Sequence, residues 1–527
     1  MMLHSDQPRG DSATIEPTVE PIPPRYWWLK RIGVVVGLLL VTLFTLRLWW
    51  GWEANRRLQA EIDKIIAAGE PIYPEDFGPK EEIPDDQNAA RLLLQAATAV
   101  NLTTEQMKLL QEFRASSAVV REHFHEVRAI IEDNAQAFEL LRRARGASST
   151  DWGVSSHTPM ATFNAILPVL DGQRQLARLL HLGAMHQHQS GDDRSAVGKL
   201  RDLLALSDAV SRQGTVIALL TGLGCEGLFV NAIEETAPTL ALRAECADTA
   251  PSNRAADRSE IQAMIADLLD KPTAKRRSKN AMLWERMYQF DLVQQVVQGK
   301  VTVSAWLGLG SAAMAASVWD TTWNYLSAPL VQLDALSMLL RSSLRTVAAE
   351  KPSWAEVKAT LPEEAPDRSV LDSIIHPFSR IMYPSLDRTL LNHFRALARR
   401  RLAATALGIR LYEVDHGQRP EALADLVPVY LPQIPKDPFA DNGQTLRYLP
   451  YATHPVVYSI GENGLDEEGK VEKRAGDVVF FLDGWRQEDD EDDKVSPPPS
   501  IQAGEDQHNV DEDDRQGDEE ESGEEEP

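Results

Sequence analysis

Cysteine and catalytic motifs are scarce in this sequence. Two cysteines in 527 residues exclude a disulfide framework and a cysteine-rich metal site. They leave open a pairing of Cys225 with Cys246 outside the cytoplasm, or two buried thiols. The GxSxG, HExxH and Walker patterns are absent, and the GxGxxG string at Gly222–Gly227 lies in a helical pattern with no strand before it. The sequence therefore does not reveal a reaction, and it predicts no catalytic residue.

Positive charge is also scarce. The chain has 54 basic and 79 acidic residues and a net charge of −25. This argues against a nucleic-acid partner, because phosphate binding needs a basic surface. Residues 487–527 contain 19 acidic and only two basic residues, and too few apolar ones to offset the entropy of ordering, so we expect a disordered acidic tail. The tail either keeps the protein soluble, stores divalent cations weakly or docks a basic partner.

One long hydrophobic run follows a polar, proline-rich stretch at residues 1–24 that we expect to be disordered. Ile32–Trp52 has 21 residues with Arg47 as its one charge. As a helix it measures about 31 Å, which matches a bilayer core of about 30 Å. Residues 25–52 are therefore predicted to be a transmembrane signal anchor, uncleaved because no small-residue cleavage site follows. Aromatic residues flank both ends, as in membrane-interface belts: Tyr26, Trp27, Trp28, Trp49, Trp50 and Trp52.

This anchor predicts a single-pass protein of the cytoplasmic (inner) membrane whose partner is the lipid bilayer. Basic residues on the two flanks are nearly balanced and give little orientation signal. A short first flank before a long hydrophilic region is typical of a cytoplasmic amino terminus, which places the bulk of the chain on the periplasmic or extracytoplasmic side. A second uncharged stretch, Val301–Trp319, has 19 residues. Its alanine, glycine and serine content suits either a second span or close packing in a helical bundle.

Residues 53–384 lack the alternating pattern of strands and are rich in helix-forming residues, so we expect an α-helical domain. Its clearest unit is a helical hairpin, Asp171–Gln189 and Arg194–Arg212, whose connection Ser190–Asp193 supplies a helix stop and an N-cap. No second copy lies one repeat length away, so the predicted fold is an irregular bundle or a set of helical hairpins. Further helices are predicted at Arg91–Val100, Glu105–Phe113 and Glu122–Arg143.

Three histidines of the hairpin, His181, His186 and His188, lack the i, i+4 spacing that places two imidazoles on one helix face. No metal site is therefore predicted there. The basic stretch Lys271–Arg286 is expected to be a solvated surface helix or a partner-facing patch. The nearest approach to a hydrolytic cluster is a set of three residues close in sequence, namely Asp151, His157 and Asp171.

The pattern changes near residue 385. Thr389–Val414 predicts a long helix, and three short runs of β-branched and aromatic residues, separated by turn residues, predict strands. One helix and a small antiparallel sheet make an α+β domain over residues 385–486. The strands are expected at Thr445–Leu449, Val456–Ile460 and Val478–Leu482.

This domain resembles a known module. A helix ending LYEVDHGQRP is followed by LADLVPVYLPQIPKDPF, LRY, VYSIGENGLDEEG and a late GD. In this order the elements resemble the soluble domain of the type II secretion major pseudopilin, over Leu390–Trp485. The resemblance implies that the loop after the YS-G strand binds calcium. It places Asn463 and Asp477 as side-chain ligands and Asp466 as a neighbour, with backbone carbonyls completing the shell.

The residues of the loop are compatible with that chemistry. Calcium takes several oxygen ligands, and glycine-rich turns let carbonyls converge. Asn463 replaces the aspartate that is usual in the family, which removes a charge and weakens binding. The alternative is a polar hairpin loop closed by its own Asx turns.

The whole chain is similar to uncharacterised membrane-anchored proteins common in planctomycete bacteria. These share the PEDF segment at Pro74–Phe77, the NAARLLLQAA helix at Asn88–Ala97 and the same carboxy-terminal module. Pseudopilins place the membrane helix directly before the module and carry a prepilin cleavage site, whereas more than 300 residues intervene here. The resemblance therefore implies architecture, and filament assembly does not follow from it.

Together these features predict a membrane-anchored, non-enzymatic envelope protein. It would act as a helical scaffold that presents a pseudopilin-like, calcium-binding module to envelope protein partners. One alternative is a component of a type II secretion or pilus-like assembly, which the module alone suggests. The other is an extracytoplasmic hydrolase of unknown substrate, with residues gathered from distant parts of the helical domain.

Overall fold

Helices make up most of the chain, as the sequence predicts. The computed structural model describes residues 26–77, 83–112, 117–153, 159–243, 254–298, 300, 318–361, 377–471 and 476–485. The helices in these ranges are α1 (Trp27–Ala67), α2 (Ala89–Thr98), α3 (Thr104–Glu112), α4 (Ser117–Glu122), α5 (Phe124–Asp133), α6 (Ala135–Arg145), α7 (Pro159–Gln189), α8 (Asp193–Ser211), α9 (Val216–Thr236), α10 (Arg258–Leu268), α11 (Lys271–Val297), α12 (Val318–Ala348), α13 (Trp354–Thr360) and α14 (Pro377–His416). The strands are β1 (Arg447–Leu449), β2 (Val456–Ser459) and β3 (Val478–Phe481). The predicted disordered segments, 1–24 and 487–527, lie outside the described residues, as does nearly all of Val301–Trp319.

The first helix continues well beyond the predicted membrane span. From Tyr26 to Trp52 its large apolar side chains are exposed; Leu38, for example, is 63% accessible. After Trp52 the same helix turns one apolar face towards the protein, since residues one helical turn apart become buried. These are Ala54, Leu58, Ile62 and Ile65. The membrane-length segment and the first helix of the folded body are therefore one continuous rod.

Two helices are long and apolar enough to cross a membrane, α1 and the segment Val216–Thr239 that contains α9. The most apolar window of α1 is 0% buried and that of the second segment is 61% buried. Phe229 and Ile233 of α9 lie in the main hydrophobic core, and Glu226 in its middle pairs with Arg400 of α14 at 2.6 Å. The apolar side chains of α9 thus serve the protein interior, whereas those of α1 face outwards.

The predicted helical hairpin is confirmed as α7 and α8. Gly191 lies between the two helices at φ +71°, a conformation that glycine adopts without strain. The side chain of Asp192 then accepts a hydrogen bond from the Ser195 amide at 3.1 Å, which satisfies one of the free amides at the start of α8. The first helix of the pair begins earlier than predicted, at Pro159.

The predicted single helix Glu122–Arg143 is wrong as one element, because the chain breaks at His123 and at Asn134 to give α4, α5 and α6. Asn134 is fully buried. Its side chain accepts from the Asn101 amide at 2.7 Å and donates to the Asn101 carbonyl at 3.0 Å. A side chain that bonds to a distant backbone in this way favours a cap over a helix interior.

Helix α14 joins the helical domain to the carboxy-terminal sheet. It begins at Pro377, and the predicted division of the chain at residue 384 falls inside it. Arg400 on this helix is 2% exposed; besides its contact with Glu226, it donates to the carbonyls of Asp267 and Leu268. The main hydrophobic core contains residues of α2, α7, α8 and α9 together with residues of α14 and the sheet. The two predicted domains therefore share one core.

The basic stretch Lys271–Arg286 forms the first half of α11, and the prediction that it is a solvated surface helix is wrong for two of its arginines. Arg277 is 4% exposed and Arg286 is 0% exposed. Arg286 donates to the Glu70 carboxylate at 2.7 Å, and Arg277 donates to Asp208 at 2.6 Å. Both charges are thus used inside the fold.

The three predicted strands are confirmed, each slightly shorter than expected. They form one antiparallel sheet in the order β1-β2-β3, in which Tyr448 pairs with Val457 and Val457 with Phe480. Every residue of β2 is buried, because the strand lies in the middle of the sheet and packs on α14. The connection from β2 to β3 carries the predicted calcium loop.

Candidate cation site

The loop between β2 and β3 runs from Ile460 to Asp477, and residues 472–475 of it lie outside the described part. Its turns use residues with positive φ. Gly469, at φ +74°, has a second constraint, because a Cβ there would lie 3.1 Å from the side chain of Val456. The loop is therefore held close over β2, and its middle approaches the start of β3. The positive-φ residues are Gly461, Gly464, Glu468 and Gly469.

Asp477 precedes β3 and is only 7% exposed. Its Oδ2 accepts a hydrogen bond from the Gly469 amide at 2.8 Å, whereas its buried Oδ1 has no hydrogen-bond partner. Burial raises the pKa of Asp477 to about 6; the adjacent Glu467 carboxylate adds to the rise, and the Gly469 amide opposes it. A buried carboxylate oxygen without a donor is unusual in proteins and calls for an explanation.

Glu467 supplies a second oxygen of the same kind. Its Oε2 is buried and has no hydrogen-bond partner, while its Oε1 accepts from Asn463 Nδ2 at 2.5 Å. Glu467 faces Asp477 closely enough to act on its pKa. Two carboxylates that face each other out of water repel when both are ionised, so a cation between them would stabilise both charges.

A neighbouring acid shows the contrast. Asp437 is 2% exposed, but its Oδ1 accepts from Ser459 Oγ at 2.6 Å and from the Phe439 amide at 2.9 Å, and its Oδ2 accepts from the Ile460 amide at 3.0 Å. This carboxylate is fully used in fixing the start of the loop. Asp477 and Glu467, a few residues further along, are not.

The other two predicted site residues have different roles. Asn463 is exposed, and its Oδ1 accepts from the Leu465 amide at 2.9 Å in an Asx turn. Asp466 pairs with Arg447 Nε at 2.8 Å and accepts from the Tyr458 hydroxyl at 3.1 Å. An aspartate already neutralised by an arginine is a poor cation ligand, which agrees with its predicted place as a neighbour.

The structure therefore brings Glu467, and not Asp466, against Asp477. Glu467 was visible in the sequence only as one of three consecutive acids, Asp466, Glu467 and Glu468. The turn at Glu468, with φ +60°, decides which of the three points inwards. No local pattern in the sequence indicates that turn, because it depends on the packing of Gly469 on β2.

The chemistry of these donors suits a hard cation. Carboxylate oxygens select calcium or magnesium over softer metals, and calcium tolerates an irregular shell of carboxylates, carbonyls and water. Within the described part of the chain, no group of three or more His, Cys, Asp and Glu side chains is arranged to hold a metal ion. Further ligands at this loop would therefore be carbonyls, Asn463 or water.

The three histidines of the helical hairpin do not converge on a common point. The His186 ring stacks on Phe124, and burial lowers its pKa. His188 contacts the Asp193 carboxylate through Nδ1 at 2.5 Å and Thr239 Oγ1 through Nε2 at 3.0 Å. Asp193 also accepts from the Ala241 amide at 2.7 Å, so the arrangement fastens the α7–α8 turn to the segment after α9.

The predicted hydrolytic cluster is not assembled among the described residues. His157 lies outside them. Asp151 accepts a hydrogen bond from the Gly153 amide at 2.9 Å, and Asp171 is exposed on α7. Cys225 is a buried free thiol whose pKa is raised to about 12 by burial; Cys246, its predicted partner, is outside the described residues.

Comparison with family models, with curated proteins and with solved structures found no match for this chain. The resemblance to the pseudopilin module and to the planctomycete proteins therefore stays a prediction from the sequence.

Proposed function

We propose that this protein is a membrane-anchored, non-enzymatic scaffold that presents a calcium-binding carboxy-terminal module at the membrane surface. The anchor is the exposed part of α1, and the scaffold is the helical body that is continuous with it. The module is the three-stranded sheet with its β2–β3 loop. The observation that carries the binding function is the pair of buried, unpartnered oxygens on Glu467 and Asp477.

The membrane part of the proposal rests on exposure. In α1 the most apolar window has a mean hydropathy of 2.2 and is 0% buried, which is unfavourable for a helix in water. Extraction of membranes with alkaline carbonate should leave the full-length chain in the pellet. Release into the supernatant would remove the anchor, and with it the assignment of the helical body to an envelope.

Calcium binding is tested by isothermal titration calorimetry on the full-length chain in detergent micelles. We expect one calcium site per chain that Glu467→Gln removes, because the substitution deletes one of the two facing charges. Asp466→Asn is the matched control, since that aspartate already pairs with Arg447. Equal affinities in the two variants, or no binding in the unmodified chain, would contradict the assignment.

A second candidate is hydrolysis at Thr239, His188 and Asp193. The order hydroxyl, imidazole, carboxylate is that of hydrolytic triads, and Thr239 is exposed to solvent. Profiling the purified chain with fluorogenic esters and peptides, alongside Thr239→Ala, tests this candidate. Turnover that the substitution abolishes would favour it over the scaffold, whereas turnover that persists would point to a contaminant.

A further inference from the structure

Helices α11 and α12 form an antiparallel pair beside the anchor. At one end of the pair, Lys279 Nζ lies 3.1 Å from Glu350 Oε1. At the other end, Phe290 and Val293 share a hydrophobic cluster with residues of the middle of α12, such as Val331. Later positions on α11 thus meet earlier positions on α12. The two helices run in opposite directions, and their connection lies at the end distant from Lys279.

Helices α1 and α12 run parallel. A Cβ on Gly51 would lie 3.8 Å from Pro329 Cγ. Beyond these two positions, both helices contribute buried residues to the same cluster, Leu58 and Ile62 from α1 and Ala335 and Met338 from α12. In an antiparallel arrangement the α12 residues after Pro329 would instead lie beside the α1 residues before Gly51. Those residues are exposed; they include Leu48 at 47% and Trp49 at 59%.

These directions place the connection between α11 and α12 on the membrane side of the body. Gly51 lies at the end of the predicted span, so Pro329 lies at the level of the membrane interface. The part of α12 that precedes Pro329 extends about 16 Å further in the direction of the bilayer, at about 1.5 Å per residue. Helix α11 approaches that interface, and α12 leaves it on the same side.

The number of crossings between α11 and α12 must then be even. Between Lys300 and Pro329 the chain has 28 residues. Two helical crossings need roughly 40 residues, at about 20 each. The chain here is too short for two crossings, and one crossing would leave α11 and α12 on opposite sides of the membrane. Zero is the remaining number.

We infer that the chain crosses the bilayer once, through α1, and that the first turns of α12, Val318–Tyr325, make a second contact with the lipid interface without crossing it. The inference rests on the proposed role of α1 as the anchor. The sequence of these turns includes two tryptophans and a tyrosine, the residue types that are enriched where headgroups meet water. The lipid surface is thus held at two places, by one spanning helix and by one helix end.

Topology is tested by labelling single cysteines with a membrane-impermeant maleimide in oriented vesicles. Cys225 can remain because it is 2% exposed, and Cys246 is replaced by serine. Lys300→Cys and Leu340→Cys lie on either side of the connection, and Ser5→Cys marks the opposite face. We expect the first two cysteines to react from one side and the third from the other. Reaction of Lys300→Cys and Leu340→Cys from opposite sides would overturn the inference.

Lipid contact is tested separately with an environment-sensitive fluorophore on Asn324→Cys in proteoliposomes of the full chain. The matched control is Lys358→Cys on α13, which is exposed and lies away from the interface. We expect a blue shift and severalfold stronger quenching by a lipid-borne quencher at Asn324→Cys. Equal quenching at the two positions would refute the contact. Release of the whole chain by carbonate would instead show that the anchor itself is wrong.

Discussion

Replacing Asp477 with asparagine should have two effects of opposite sign: it should stabilise the calcium-free chain and remove its response to calcium. The carboxylate is buried with one unpartnered oxygen, and burial raises its pKa to about 6. For an acid whose folded pKa is raised, the stability is fully present below the unfolded pKa of about 3.9. It is lost as the pH rises through the folded pKa.

The magnitude follows from the shift. A rise of about two pKa units corresponds to about 3 kcal/mol of destabilisation at neutral pH. This is an upper limit, since Asp477 Oδ2 keeps its hydrogen bond from Gly469. Asparagine carries no charge and avoids this cost. Calcium at roughly 100 times its Kd would stabilise the unmodified chain by about 2.7 kcal/mol, and the variant would not gain this term.

Hydrogen–deuterium exchange of the β2 and β3 amides measures both effects on the full-length chain, because it reports the opening of this part of the fold. In EDTA at about pH 8, exchange in Asp477→Asn should be slower than in the unmodified chain, and the difference should vanish towards about pH 4. Asp466→Asn is the control and should keep its calcium response. Faster exchange of the variant in EDTA, or undiminished protection by calcium, would refute the reasoning.

Three further changes test other parts of the structure. Arg400→Met should lower the free energy of unfolding by about 3–5 kcal/mol, because Glu226 is left as an unpaired buried charge; denaturant titration measures this, and adding Glu226→Gln should recover part of the loss. Gly214→Ala should cost more than about 2 kcal/mol, because Gly214 has φ +95° and a Cβ would lie 2.2 Å from Trp284 Nε1; Gly198→Ala in the open part of α8 should be neutral or stabilising, and equal losses would contradict the argument. Calcium affinity measured by calorimetry should fall as the pH drops below about 6, because protons compete for the site, and a flat profile would count against the carboxylate pair.

Local signals predicted much of the secondary structure correctly. The hairpin of α7 and α8 follows from apolar spacing together with Gly191 and Asp192, and these signals act within a few residues. Where a side chain bonds across a long sequence distance, the local prediction failed. Asn134 ends α5 because it bonds to the backbone of Asn101, and nothing near it in the sequence indicates that partner.

The candidate site divides in the same way. Asp477 and the loop were predicted from the residues and from the resemblance, whereas Glu467 is brought to Asp477 by the turn at Glu468 and the packing of Gly469 on β2. The sequence stated that acids were present in the loop. Only the packed loop showed which carboxylate oxygens are buried and which are satisfied.

By itself the sequence determined the apolar anchor, the helical character of the body and the three strands. Each of these depends on composition or on a short repeat of apolar residues, which is a local property of the chain. Only the tertiary structure decided which charges are buried in pairs, such as Arg400 with Glu226, 174 positions apart. It also decided that α11 and α12 meet the membrane from one side. Pairing and direction depend on distant segments coming together, and a single chain read residue by residue carries no local signal for that.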